Sequence, residues 1–174
     1  MAFSVCAAKA QMLAVNTDVA MDALMAPNVG LELTVANQST LSLNGLICHK
    51  SWGHATQVAA IQPEYRYYLS GRPMNKFFLG VGGIASVYDV EVKDKRYDGY
   101  CAGAGLTFGY VLPLSDRWSV DFHAGFGATA YKQKEYYIGD DYGEYTKDGY
   151  PVANAKGFRY MPTRIGVSIS YTLR

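Results

Sequence analysis

The chain has 174 residues, 49% of them hydrophobic and 18% charged, with a formal net charge of +1 and a mean hydropathy of −0.06. A disordered chain would need low hydrophobicity and high net charge. A helical membrane protein would need runs of about 18 apolar residues that are absent here, and a net charge so near zero gives no electrostatic basis for binding nucleic acid. Apolar and polar residues must instead be interleaved, with 15 Tyr and 18 Gly among them.

At the N-terminus, Ala8-Lys9-Ala10 before Gln11 is a small-x-small cleavage signature, and Phe3 to Ala8 could end the apolar part of an export signal. Residues 1–10 are therefore expected to be the truncated remnant of a signal peptide, and 11–174 a single domain. Beyond it the chain has period two almost everywhere. Val29, Leu31, Leu33 and Val35 alternate with Gly30, Glu32 and Thr34. Ala59, Ile61, Pro63, Tyr65, Tyr67 and Leu69 alternate with Ala60, Gln62, Glu64, Arg66 and Tyr68. The same pattern runs from Ala102 to Leu112, from Trp118 to Ala128 and from Ile165 to Leu173. Successive strand residues point to opposite faces, so each segment carries one apolar face and one small or polar face.

Eight strands are expected, near 12–19, 28–36, 41–52, 57–69, 76–90, 98–112, 117–131 and 158–173. Most are longer than the usual strand of about 5–6 residues and reach the about 9–11 that a tilted membrane-spanning strand needs. In a soluble sandwich the non-apolar face meets water and carries Lys, Glu and Arg. Here it carries Gly, Ser, Thr and Ala with isolated charges, which suits the crowded interior of a narrow closed barrel. The connections at 19–27, 53–56, 91–97 and 132–157 are expected as loops at one end. Asn37-Gln38-Ser39, Ser70 to Asn75 and Pro113 to Asp116 make shorter turns at the other. Short periplasmic turns facing longer external loops are the habit of outer-membrane barrels.

Aromatic residues then gather at both strand ends. Tyr67, Phe77, Tyr110, Trp118 and Tyr171 fall at the turn end; Trp52, Tyr88, Tyr97, Tyr100, Tyr131 and Tyr160 fall at the loop end. Two such girdles suit the two interfaces of a bilayer. In the last strand, Arg164-Ile165-Gly166-Val167-Ser168-Ile169-Ser170-Tyr171 matches polar-x-Gly-x-x-apolar-x-aromatic. Its elements Arg164, Gly166, Ile169 and Tyr171 resemble the signal read by the barrel-assembly machinery of the outer membrane.

Several short motifs carry a wider resemblance. They are Asn28-Val29-Gly30-Leu31-Glu32, Gln62-Pro63-Glu64-Tyr65-Arg66-Tyr67, Tyr97-Asp98-Gly99-Tyr100 with Ala102-Gly103-Ala104-Gly105, and Pro162-Thr163-Arg164. In this order, over nearly the whole chain from about Gln11, they resemble an uncharacterised domain-of-unknown-function family of small outer-membrane β-barrel proteins of Gram-negative bacteria. The resemblance implies the same barrel fold and brings no assigned activity and no catalytic residues.

Candidate chemistry is sparse. Glu64 and Arg66 share the inward face of one strand, and Asp121, His123 and Arg164 project inward from two others, a lumenal polar network expected to pair internally because an unpaired buried charge is costly. Ser119, Asp121 and His123 share one face of one strand. Ser119 and His123 are four residues apart, or about 13 Å, far beyond the about 2.6–3.2 Å a nucleophile and base require. No catalytic residue is assigned, and the chain is not read as an enzyme. His49 and His54 lack a third metal ligand, and Asp140, Asp141, Glu144 and Asp148 are not spaced as a calcium loop. No metal or cofactor is expected. With Cys6 in the leader, Cys48 and Cys101 remain as one potential pair. The segment from Lys132 to Gly157, with Tyr137, Asp140, Asp141, Tyr142 and Tyr145, reads as an external recognition loop, since loops beyond about 12–15 residues are usually functional or disordered.

The expectation is thus an all-β, eight-stranded antiparallel up-and-down transmembrane β-barrel in the outer membrane of a Gram-negative bacterium, with both termini periplasmic. Its interior is filled rather than a pore, and its role structural or surface-interacting through the external loops. Its partners would be outer-membrane lipids, the barrel-assembly machinery and an extracellular partner for the loops. Two rivals are a soluble lipocalin-like barrel for an apolar ligand, with its apolar face inward, and a lipid A-modifying membrane enzyme.

Overall fold

In the computed structural model, residues 12–49, 56–92, 95–137, 146–147, 150–151 and 155–173 are described. The expected leader and Trp52 and His54 lie outside them. Eight antiparallel strands form one ring-like sheet: β1 (Leu13–Asp18), β2 (Asn28–Ala36), β3 (Ser39–Cys48), β4 (Thr56–Tyr68), β5 (Lys76–Val92), β6 (Lys95–Pro113), β7 (Trp118–Tyr137) and, at the end of the chain, β10 (Ala155–Leu173). Each pairs with its neighbour in sequence, and β10 closes the ring on β1 with Leu13 opposite Leu173 and Asp18 opposite Ser168. Between β7 and β10, β8 (Thr146–Lys147) and β9 (Tyr150–Pro151) make a separate two-stranded sheet.

Strand lengths differ around the ring. β1 has 6 residues, whereas β6, β7 and β10 have 19, 20 and 19, so one wall rises well beyond the other. Two sequence expectations change accordingly. The connection expected at 91–97 shrinks to positions 93–94, because β5 and β6 stay paired up to Val92 and Lys95. The loop expected at 132–157 starts only after Tyr137, because β7 continues pairing with β6 through that residue. Charged and Tyr-rich sequence read as loop but forms strand, since cross-strand pairing rather than composition decides where a ladder ends. One short helix was also unforeseen: α1 (Val19–Ala23), whose first amides are accepted by the side chain of the N-cap residue Asp18.

Glycine permits a tight corner between β6 and β7. A Cβ at Gly105 would drive into the carbonyl of Phe126 and the Cα of Gly127, and one at Gly127 into the carbonyl of Ala104 and the Cα of Gly105. β6 and β7 fold tightly together there, as a small ring requires of at least one strand pair. A β-bulge between Pro162 and Arg164 has another consequence. It inserts Thr163 and inverts the facing of β10, so that Phe158 and Tyr160, 76% and 80% exposed, point outward while Arg164, Ser168 and Ser170 point inward and are buried.

The two faces of the sheet differ in composition. Among the described residues, seven buried side chains are apolar and 18 are polar or charged. The apolar side chains, from Leu31 and Leu43 to Val81, Leu106, Phe126 and Ile165, are on the outside. At the turn end Tyr68, Phe78 and Val111 form a small buried apolar cluster, with the Tyr68 and Phe78 rings 5.6 Å apart.

Candidate functional site: the polar interior

The polar interior is assembled by cross-strand register. One row of neighbours runs Thr40, Arg66, Gly80, Thr107, Gly125, Arg164 across β3, β4, β5, β6, β7 and β10. Two long guanidinium side chains thus share a level of the ring with two glycines and two threonines. The small residues leave the volume that the arginines fill: a Cβ on Gly80 would crowd Thr107 Oγ1 and the Tyr65 carbonyl. Neighbouring rows bring Glu32 opposite Ser42 and Ser42 opposite Glu64, and Asp121 opposite Ser168.

All five interior residues expected from the sequence meet in this space. Arg66, fully buried, donates through Nε to Glu64 Oε2 at 2.8 Å and through Nη1 to Asp121 Oδ2 at 2.7 Å. Arg164 Nη1 reaches the same Glu64 oxygen at 2.7 Å. His123 Nδ1 lies 3.6 Å from Asp121 Oδ2, and its Nε2 lies 3.1 Å from Asp18 Oδ2. The Arg66 guanidinium also stacks over the Phe78 ring, 4.4 Å from its centre.

Sequence reasoning missed Asp18, Glu32 and Tyr68 as members. Glu32 accepts from Arg66 Nη1 at 3.3 Å, from Thr40 Oγ1 at 2.5 Å and from Tyr68 Oη at 2.7 Å. Its place between Leu31 and Leu33 on an alternating strand was the available signal. Asp18 had no such signal, because it ends β1 and turns the chain into α1. One carboxylate oxygen caps that helix while the other faces His123. Four carboxylates, two guanidiniums and one imidazole thereby form a continuous chain through the ring, and both nitrogens of His123 face carboxylates rather than a hydroxyl. Among the described residues no group of three or more His, Cys, Asp or Glu is arranged to hold a metal ion. Cys48 and Cys101 are both free thiols.

The residues of the assembly-like signal divide between faces. Arg164 and Gly166 point inward, and a Cβ on Gly166 would collide with the Asp18 carboxylate. Ile169 and Tyr171 point outward, where Tyr171 packs edge-on to Trp118 at 4.9 Å and accepts from Arg117 Nη1 at 3.0 Å. Of the expected recognition-loop residues, Tyr137 is the last residue of β7, with Lys95 Nζ 4.7 Å from its ring centre. Asp140, Asp141, Tyr142 and Tyr145 lie outside the described residues.

The aromatic belts are also partly redrawn. At the turn end Tyr67, Phe77 and Trp118 are exposed on the outer face, with Tyr110 stacked against Phe77 at 4.7 Å. At the loop end, Tyr100 and Tyr160 are the exposed members of the expected set among the described residues, and Phe158 joins them. Tyr88 turns inward and donates to Gln133 Oε1 at 2.6 Å; Tyr131 turns inward beneath Arg159. The pleat sends every second residue to the other face, so an aromatic at the right height can still lie on the wrong side.

A search of curated proteins and a search of solved structures each found no match. A family model described as "Protein of unknown function (DUF3575)" matches residues 1–173. The chain belongs to this family.

Proposed function

We propose that this protein is a small outer-membrane β-barrel with a filled, non-conducting interior, serving as a structural or surface-interaction element of a Gram-negative envelope. The supporting observation is the inverted distribution of side chains: a charged, hydrogen-bonded interior inside a continuous outer band of Leu, Val, Ile and Phe. A water-soluble ring would place that band against water at about 25 cal/mol per Å² of apolar surface, whereas a bilayer removes the penalty. A closed ring also leaves no unpaired strand edge, which the hydrocarbon core demands of any spanning sheet. An eight-stranded ring is only wide enough for its own side chains, and the Arg66 cluster occupies the middle of this one.

The polar interior also weighs against the lipocalin-like alternative, which needs an apolar cavity. His123, whose two ring nitrogens face Asp121 and Asp18, offers little to an acyl-transfer mechanism. The test is physical. The protein is expected to fractionate with outer membranes, to migrate faster on unboiled than on boiled gels, and to give no conductance steps in planar bilayers. A chain that stays in the aqueous fraction without detergent overturns the reading.

A further inference from the structure

The outer face carries two adjoining hollows, of about 970 Å³ and 570 Å³, which share Ile47, Ala59, Val87 and Tyr100. These four are consecutive neighbours in one cross-strand row, and the row continues onto Lys132 of β7 and Lys156 of β10. Along the strands, the outward row on one side is Gly45, Ile61, Ala85, Ala102, Ala130 and Phe158; the larger hollow opens over its small residues. The outward row on the other side is Gln57, Asp89, Asp98 and Lys134. Apolar surface therefore gives way to polar surface within one row, and the continuous depression crosses that boundary.

The two lysines make this more than an apolar groove. Residues directly opposite on antiparallel strands bring their Cβ atoms to about 4.5–5.5 Å, where like charges destabilise the pair. Nearby acids do not relieve Lys132 and Lys156. Asp89 is held by Arg96 through Nε at 2.7 Å, and Asp98 lies 3.5 Å from Lys134. Among the described residues neither Lys132 nor Lys156 forms an ion pair, and both are exposed. Lys132 lines the smaller hollow and Lys156 stands beside it on β10. Two neighbouring cations with no ion pair among the described residues, next to an apolar hollow, complement one class of molecule: an anionic head joined to hydrocarbon.

We propose that this depression binds a phosphorylated membrane lipid, its acyl chains over Gly45, Ala85 and Ala102 and its phosphate between Lys132 and Lys156. The proposal rests on the membrane-barrel reading above and adds a specific lipid class to it. Phosphate is favoured over carboxylate because a phosphate monoester carries about −1.5 to −2 charge near neutral pH and can offset two ammonium groups, where a carboxylate carries a single charge. Basic residues at the membrane surface contribute to anionic-lipid affinity individually, so losing both should be additive.

The test uses the full-length protein in neutral detergent, with native mass spectrometry titrations of diphosphoryl lipid A, its dephosphorylated form and inorganic phosphate. Wild-type protein is expected to retain the diphosphoryl lipid at least tenfold more tightly than the dephosphorylated one. Lys132→Gln/Lys156→Gln should remove that preference, and Ala85→Leu/Ala102→Leu should weaken both lipids by filling the hollow. Each variant is checked for heat-modifiable migration, so a misfolded one is recognised and replaced by the single Lys132→Gln. Equal affinity for the two lipids, or displacement of the lipid by millimolar inorganic phosphate alone, overturns the lipid site. Variants that remain heat-modifiable and bind unchanged overturn it as well, yet leave the barrel standing. A wild-type chain that neither shifts on heating nor enters bilayers removes both proposals.

Discussion

Arg66 contacts three carboxylates at once, Glu32, Glu64 and Asp121, with no solvent exposure. Taking one partner from a buried ion cluster is costly because the charges left behind have neither water nor counter-ion. Arg66→Ala should lower folding stability by about 3–5 kcal/mol, read as a shift in the urea unfolding midpoint in detergent. The exposed Lys132→Ala should move the midpoint by less than about 0.5 kcal/mol, the usual range for surface changes. Equal midpoints for the two variants would show that the interior charges contribute nothing to stability. Glu64 is the second hinge of the cluster, since one of its oxygens serves both Arg66 and Arg164.

At the level of strands, the β6–β7 corner depends on glycine in a way that can be isolated. Gly105 has backbone atoms of β7 where a Cβ would go, while Gly45 on the outer face of β3 has nothing within 4 Å. Gly105→Ala is therefore expected to reduce the heat-resistant fraction and lower the unfolding midpoint. Gly45→Ala should be neutral or slightly stabilising, because alanine restricts the unfolded chain. The tall β5–β6 hairpin is fastened near its tip by Arg96, which contacts Asp89 and lies 3.7 Å from Glu91. The Arg96 guanidinium holds the Asp89 carboxyl below the usual carboxylate range. Its contribution is fully present above about pH 4, where the unfolded carboxyl ionises, and is lost as pH falls through the lower folded value. Amide exchange at residues 88–92, after correction for intrinsic rates, should thus be constant from pH 7 to about 5 and lose protection below about 4. Protection that rises as the acid is added would contradict the assignment.

For the molecule as a whole, the outer band and the polar interior act together: the band suits a hydrocarbon solvent, and the interior holds the ring in one register through side chains from β1, β2, β4, β7 and β10. Between β7 and β10, β8 and β9 form a sheet separate from that ring. Deleting 138–152 should leave heat-modifiable migration intact while abolishing any surface binding. Loss of the folded form on deletion would assign the segment to stability instead.

Much of this architecture was legible because a strand's faces are a local property. Leu31-Glu32-Leu33 or Tyr65-Arg66-Tyr67 states its own inside and outside through the period of two, without reference to any other strand. Eight such segments implied one antiparallel sheet and put Glu64, Arg66, Asp121, His123 and Arg164 on a common side. Height and partner are not local. Whether Arg66 meets Asp121, whether Asp18 reaches His123, and whether Lys132 stands opposite Lys156 depend on backbone register between segments up to about a hundred residues apart. The Thr163 bulge adds one residue and inverts a face that simple alternation would assign the other way. The amino-acid order therefore settled the two faces of each unbroken segment and which of them is apolar; the bulge and the closure of the ring settled where a face inverts and who stands beside whom, because pairing energy is shared across strands and belongs to no single segment.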